Sequence, residues 1–126
     1  YYINKTITSD FEEAIEKITG SLKEEGFGVL SRIDIHEKLK EKLDVDFRKY
    51  VILGACNPPY AYEALKQEDK IGTMLPCNVI VQEAGEGKVE VSAVDPVASM
   101  QAVQNEKIGN IAGEIRDKLA KAINDL

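Results

Sequence analysis

Hydrophobic positions in this chain alternate between a period of two and a period of three to four, and the switches place its elements. Ile3 and Ile7 alternate with Asn4 and Thr6, which predicts a strand over Tyr1 to Ile7. From Phe11 the period lengthens. Phe11, Ala14, Ile15, Ile18 and Leu22 fall on one helical stripe, and Ser9 or Asp10 stands where a cap belongs. Glu12 and Glu13 occupy the first turn, where acids favour the helix dipole, and Gly26 is placed to stop the helix. The period returns to two from Phe27 to Ile35, with Phe27, Val29, Ser31, Ile33 and Ile35 expected on one face. A short helix carrying Leu39 and Leu43 follows over His36 to Leu43.

Phe47 to Cys56 reads as the third strand. Its Val51-Ile52-Leu53-Gly54-Ala55 segment is apolar on both faces, the pattern of a central strand covered on both sides. Asn57 then precedes Pro58, the order of a helix cap and a first helical residue, and predicts a helix to about Lys66. Residues 67–76 form a loop whose Ile71, Met74 and Leu75 suggest that it packs down. Asn78 to Glu83 and Lys88 to Val94 read as a hairpin through Ala84-Gly85-Glu86-Gly87. Val89, Val91 and Ala93 face one way and Lys88, Glu90 and Ser92 the other, so one face is buried and one is wet. Asp95-Pro96 repeats the polar-cap-then-proline pattern. The last helix, Asn105 to Asn124, carries the stripe Ile108, Ile111, Ala112, Ile115, Leu119, Ala122 and Ile123.

The order β-α-β-α-β-α-β-β-α predicts an α/β fold of the α+β type. The expected form is a two-layer sandwich with one five-stranded mixed or antiparallel sheet and its helices mainly on one face. Neither repeats nor composition breaks divide the 126 residues, so a single domain over 1–126 is expected. Composition narrows the function classes. Hydrophobic residues make up 44%, enough for a packed core, and net charge is −6 from 22 acids against 16 bases. With lysines scattered among glutamates, no basic patch favours nucleic acid or anionic lipid, and neither is expected as a partner. There is no apolar run of spanning length, and Tyr1 to Lys5 does not read as a signal peptide. The chain opens on Tyr1 rather than Met, as expected if the natural N-terminus is processed or lies upstream. Two cysteines are too few for a disulfide scaffold, so a cytoplasmic, reducing setting is the expectation.

The cysteines hold the first candidate chemistry. Cys56 and Cys77 are each followed by Asn where a strand meets a turn, and Cys56 lies just before a helix N-terminus, which favours a thiolate. One reading is a thiol pair for redox or sulfur transfer; the other is two small buried hydrophobes. Their spacing is not that of a Cys-x-x-Cys motif, so no metal is assigned. They share an end of the sheet only if the strands before Cys56 and after Cys77 are antiparallel, and the intervening loop is long enough for either outcome. Cys77 and Asp95 share an end in any case, because the last two strands form a hairpin. The expected ligand-binding set is therefore Cys77, Asn78 and Asp95, joined by Cys56 and Asn57 if the strands are antiparallel. Asn57 and Asp95 read equally well as plain helix caps.

His36, the only histidine, sits beside Asp34 and Glu37 and reads as an exposed turn residue, with a general-base or ligand role as the alternative. Tyr50, Tyr60 and Tyr62 flank the Cys56 turn as rim residues or pocket walls. Gly109 and Gly113 interrupt the last helix at a cost of about 1 kcal/mol each, which points either to close packing within the chain or to a dimer contact. No dinucleotide fingerprint, phosphate-binding loop or Gly-x-Ser-x-Gly turn occurs.

Four segments together have a specific likeness: Gly26-Phe27-Gly28-Val29, Ile52 to Pro59, Leu75-Pro76-Cys77-Asn78-Val79 and Val91 to Pro96. On these the chain resembles the small bacterial and archaeal proteins grouped as domain-of-unknown-function family 302, from about Phe11 to Met100. The resemblance implies a compact α/β fold, often a homodimer, and brings no catalytic residues and no cofactor. The expectation is a homodimeric module that binds a small molecule at the Cys77/Asp95 sheet end. A thiol protein using Cys56 or Cys77 and a ligand-free structural or partner-binding domain are the competitors.

Overall fold

Every pair of neighbouring strands runs antiparallel. The structure is a computed structural model that describes residues 1–126. Its elements are β1 (Tyr2–Thr8), α1 (Phe11–Glu24), β2 (Gly28–Asp34), α2 (Ile35–Leu43), β3 (Tyr50–Cys56), α3 (Pro58–Gln67), β4 (Cys77–Glu83), β5 (Lys88–Val94), α4 (Pro96–Ser99) and α5 (Glu106–Asn124). A 3-10 turn at Ile71–Met74 fills part of the loop before β4, and buried Ile71 pins it against Ala64 and Ile108, so this loop does pack down. The sheet order is β1-β5-β4-β3-β2, an α+β architecture.

Directly opposed residues of an antiparallel pair share a face. Val51, Leu53 and Ala55 of β3 thus lie with Cys77, Val79 and Val81 of β4 and with Val89, Val91 and Ala93 of β5, all buried. The stripe Phe11, Ala14, Ile15, Ile18 and Leu22 of α1 and the stripe Ile115, Leu119, Ala122 and Ile123 of α5 close over them as one core. Each fully buried aliphatic among these contributes about 1.5–3 kcal/mol, far more than any helix propensity in the same segments. Gly26 ends α1 with φ +89°. Its N–H donates to Lys23 O, and the Phe27 N–H reaches back 2.9 Å to Leu22 O, a Schellman closure that only glycine adopts without strain.

Three sequence expectations change. β3 is not the central strand. It lies second from an edge, with β4 at the centre, and only one of its faces is covered. Ile52 therefore looks onto an open sheet face together with Ile33 and Ile80, its cross-strand partners. Residues 27–35 do not share one face either. A register shift between Val29 and Ser31 inserts an extra residue, so Val29 opposes Ala55 on the helix side while Ser31 and Ile33 oppose Gly54 and Ile52 on the open side. Finally, β3 begins at Tyr50 rather than Phe47. No helix is long and apolar enough to cross a membrane.

Candidate functional site

Because β3 and β4 are antiparallel, Cys56 and Cys77 come to the same end of the sheet. Cys77 opposes Ala55, and Cys56 is the next residue, the last of β3. Both line one apolar cavity of about 40 Å³, with Asn57 between the strand end and α3. Phe27, Tyr60, Leu75 and Pro76 wall it on one side, and Pro96, Met100, Ile108 and Ala112 wall it on the other. A water needs roughly 10–15 Å³ measured in this way, so the space takes about three atoms of that size. It is far short of the roughly 300–1,000 Å³ of a drug-sized pocket.

Cys77 is buried at 8% exposure, whereas Cys56 is half-exposed, and both are free thiols. Burial, helped by the neighbouring Cys56 sulfur, pushes the Cys77 thiol up to about 11. Cys77 is thus a neutral thiol at pH 7, suited to packing against apolar groups and poorly suited to nucleophilic attack.

Asn57 is buried at 7% exposure, but it does not cap α3. Its Nδ2 instead donates 3.0 Å to Glu25 O, one of the carbonyls that the end of α1 leaves open. Its side chain also packs against Gly26, whose absent Cβ would lie 3.1 Å from Nδ2. Asn57 Oδ1 accepts no hydrogen bond from the protein. The expected cap is replaced by a tie between two helix ends, a contact across 32 positions that no local pattern announces.

Asp95 does cap its helix. Oδ1 accepts from Val97 N at 3.0 Å and Ala98 N at 3.4 Å, and Oδ2 accepts 3.0 Å from Arg116 Nε. Burial would raise its pKa, but the Arg116 hydrogen bond and the two backbone donors outweigh that and hold it below the ordinary carboxylate value. Its carboxylate is fully engaged and does not line the cavity; only the next residue, Pro96, does. Asn78 is separated as well. Strand alternation turns it to the opposite face of the sheet from Cys77, where it opposes Gly54. Of the five expected residues, three meet at the cavity, one braces a helix beside it and one lies across the sheet.

The remaining candidates resolve as structure. His36 Nδ1 lies 3.0 Å from the Tyr50 N–H and 3.2 Å from Tyr50 O, and its ring meets Phe11 edge-on at 6.4 Å. It is half-buried rather than an exposed turn residue, and it ties α2 to β3. Asp34, His36 and Glu37 bring potential ligand atoms within 4.8 Å of one another. However, Asp34 is held 2.8 Å from Arg32 Nε, which supplies the positive charge a cation would have to displace. Tyr60 is a cavity wall, Tyr62 is exposed beneath the Lys66 ammonium, and Tyr50 belongs to the open face. A Cβ added at Gly109 or Gly113 would meet no atom within 4 Å, so close packing within the chain does not explain these glycines. The part that Ile108 and Ala112 of α5 play in the cavity has no signal in the sequence, because their helical stripe reads as ordinary core.

The family model described as domain of unknown function DUF302 matches residues 3–126. A solved structure, the crystal structure of the uncharacterized conserved protein DUF302 from Bacillus stearothermophilus, superposes with a TM-score of 0.90 at 31% identity. The match covers 98% of this chain and 96% of that one. No curated protein matches.

Proposed function

This chain belongs to the family described as domain of unknown function DUF302, and from its own geometry we propose that it is a small-ligand-binding module whose site is the cavity at the Cys56–Cys77 sheet end. The observation that carries this reading is the convergence of both cysteines and Asn57 on one apolar hollow. Native interiors leave few voids larger than a water, so a lined hollow at a strand end calls for an occupant. Its size fits a short alkyl or thioether group. The free Oδ1 of Asn57 and the half-exposed Cys56 meet the polar end of such a ligand at the mouth. Asp95 serves the site indirectly, by fixing α4 and with it Pro96.

The thiol-chemistry alternative is weaker because burial holds the Cys77 thiol in its neutral form, and both cysteines are free. A homodimer remains part of the reading, with the unobstructed Gly109–Gly113 surface of α5 as the proposed contact. A monomer by sedimentation at about 100 μM, a concentration that would hold together any pair of micromolar affinity, would remove it.

The cavity is tested with 1-propanol and 1-butanol as probes, read from the methyl resonances of Met100, Ile108 and Ala112. Saturable shifts that disappear in Ala61→Leu, a half-exposed wall position, are expected. Methyl resonances that stay still, or that move equally in the filled variant, would discard the site. Iodoacetamide gives a second reading: Cys56 should react in the folded protein and Cys77 only on unfolding. Rapid modification of Cys77 at pH 7 would contradict its sealed, neutral state.

A further inference from the structure

We propose that the open face of the sheet, away from the cysteine cavity, carries a second site that binds a small aromatic carboxylate. The face holds a groove of about 460 Å³, within the size range of small-molecule pockets. Ile80 and Ser92, directly opposed on β4 and β5, form its floor. Tyr50 and Arg48 rise on the β3 side and Tyr2 on the β1 side.

The polar groups of this groove divide into those already satisfied and those left over. A hydrogen-bonded row crosses the sheet: Arg48 Nε donates 2.8 Å to Gln82 Oε1, Gln82 Nε2 donates 2.9 Å to Glu90 Oε1, and Asn4 Nδ2 donates 3.1 Å to Glu90 Oε2. Glu90 and Gln82 are thereby engaged at both ends. What remains, beside the exposed Asn78 amide and the tyrosine hydroxyls, is a pair of groups able to donate. The two terminal nitrogens of Arg48 meet no protein acceptor, and the guanidinium is steadied at 4.4 Å from the Phe47 ring and 5.8 Å from the Tyr50 ring. Ser92 is only 7% exposed, yet its hydroxyl has no protein partner and opens to the groove. Its oxygen is not sealed from solvent, so in the free protein water satisfies it, and a ligand group seated in the groove would take that water's place.

These leftovers define the ligand. A planar fork of donors suits a carboxylate. The apolar floor at Ile80 and the Tyr2 and Tyr50 rings suit a flat ring. A hydroxyl para to the carboxylate suits Ser92, which lines the same groove as Arg48. Glu90 opposes an anion by charge, which sets a limit on affinity and supplies a test.

Benzoate, 4-hydroxybenzoate, acetate and benzyl alcohol are titrated into the full chain and followed by amide resonances. The two aromatic acids should produce saturable shifts at Tyr50, Ile80 and Ser92 while Ile108 and Ala112 on the cysteine cavity stay still. Acetate and benzyl alcohol should bind at least about tenfold more weakly, the loss of one charge-assisted bond or of the ring contact. Arg48→Gln should weaken both aromatic acids by about tenfold with an unchanged circular dichroism spectrum. Ser92→Ala should erase the preference for 4-hydroxybenzoate over benzoate, and Glu90→Gln should tighten both. The proposal fails if no aromatic acid gives a saturable shift, or if Arg48→Gln binds as wild type does. It fails equally if sedimentation shows a dimer that Ile80→Arg dissociates, since the face would then be covered by a second copy.

Discussion

Gly54 shows how much one missing methyl group can decide. A Cβ there would collide with Ser31 Oγ and stand 2.7 Å from Pro76 Cγ. The serine can rotate, but the proline ring cannot move away without shifting the approach to β4. Gly54→Ala should therefore cost about 1–3 kcal/mol, read as a lower urea midpoint at unchanged slope. Cys77 makes the second residue-scale case. Its pKa is raised to about 11 in the folded chain against an ordinary value near 9, so the folded state holds its proton longer than the unfolded state does. The stability this brings is complete below the ordinary value and is lost as pH rises through about 11. Cys77→Ala should flatten that alkaline decline, measured by chemical unfolding from about pH 8 to 11. The cysteines are legible as candidates in the sequence because two Cys-Asn pairs at strand ends stand out in any reading. Their meeting is not, since it turns on strand direction, which residues 57–76 leave free to go either way. Asn57 misleads for a related reason: Asn before Pro has the local form of a cap, and the acceptor it finds lies at the end of another helix.

Among the elements, those with a strong period are readable almost to the residue. The stripes of α1 and α5 and the alternation of β5 each match one buried face, because burial of that face is what holds the element in place. β2 is harder to read because a bulge reverses the alternation halfway along, and no proline or extra glycine at Leu30 marks the spot. The apolar character of β3 is plain in its sequence, but its position is not. A strand apolar on both sides signals coverage on both sides, and here the second side is the open groove. α5 offers a direct test of its two glycines. With open space around both, Gly109→Ala and Gly113→Ala should each stabilise the monomer by about 0.5–1 kcal/mol, seen as a rise in Tm. If instead they destabilise the protein in a concentration-dependent way, the bare helix face is in use between copies.

At the scale of the whole molecule, the net charge of −6 is opposed at a few fixed points. Arg32 joins Glu12 on α1 to Asp34 at the end of β2, and Arg116 on α5 holds Asp95 at the start of α4. The Arg32 hydrogen bond outweighs burial and lowers Glu12, as Arg116 and two backbone donors lower Asp95. A carboxylate whose pKa is lower when folded contributes stability that is present above its ordinary value of about 4 and is lost as pH falls through the lowered one. Asp95→Asn should therefore lose stability at pH 7 and show a shallower decline between about pH 5 and pH 2 than wild type, followed by thermal unfolding across that range. Glu12→Gln, at an exposed pair, should do so only weakly.

The sheet order has a consequence for how such a chain is made. β2, β3, β4 and β5 each pair with a sequence neighbour, whereas β1 pairs only with β5, so Tyr2 meets Val94. During synthesis the segment Tyr2–Thr8 leaves the ribosome ahead of the other four strands of this sheet and finds its partner only after all of them have been made. Until then it is an exposed strand with both edges free, the state most open to pairing with the wrong chain. Lys5 and the Asn4 and Thr6 side chains, polar groups spaced along that segment, are the feature of its sequence that would keep it from sticking while it waits.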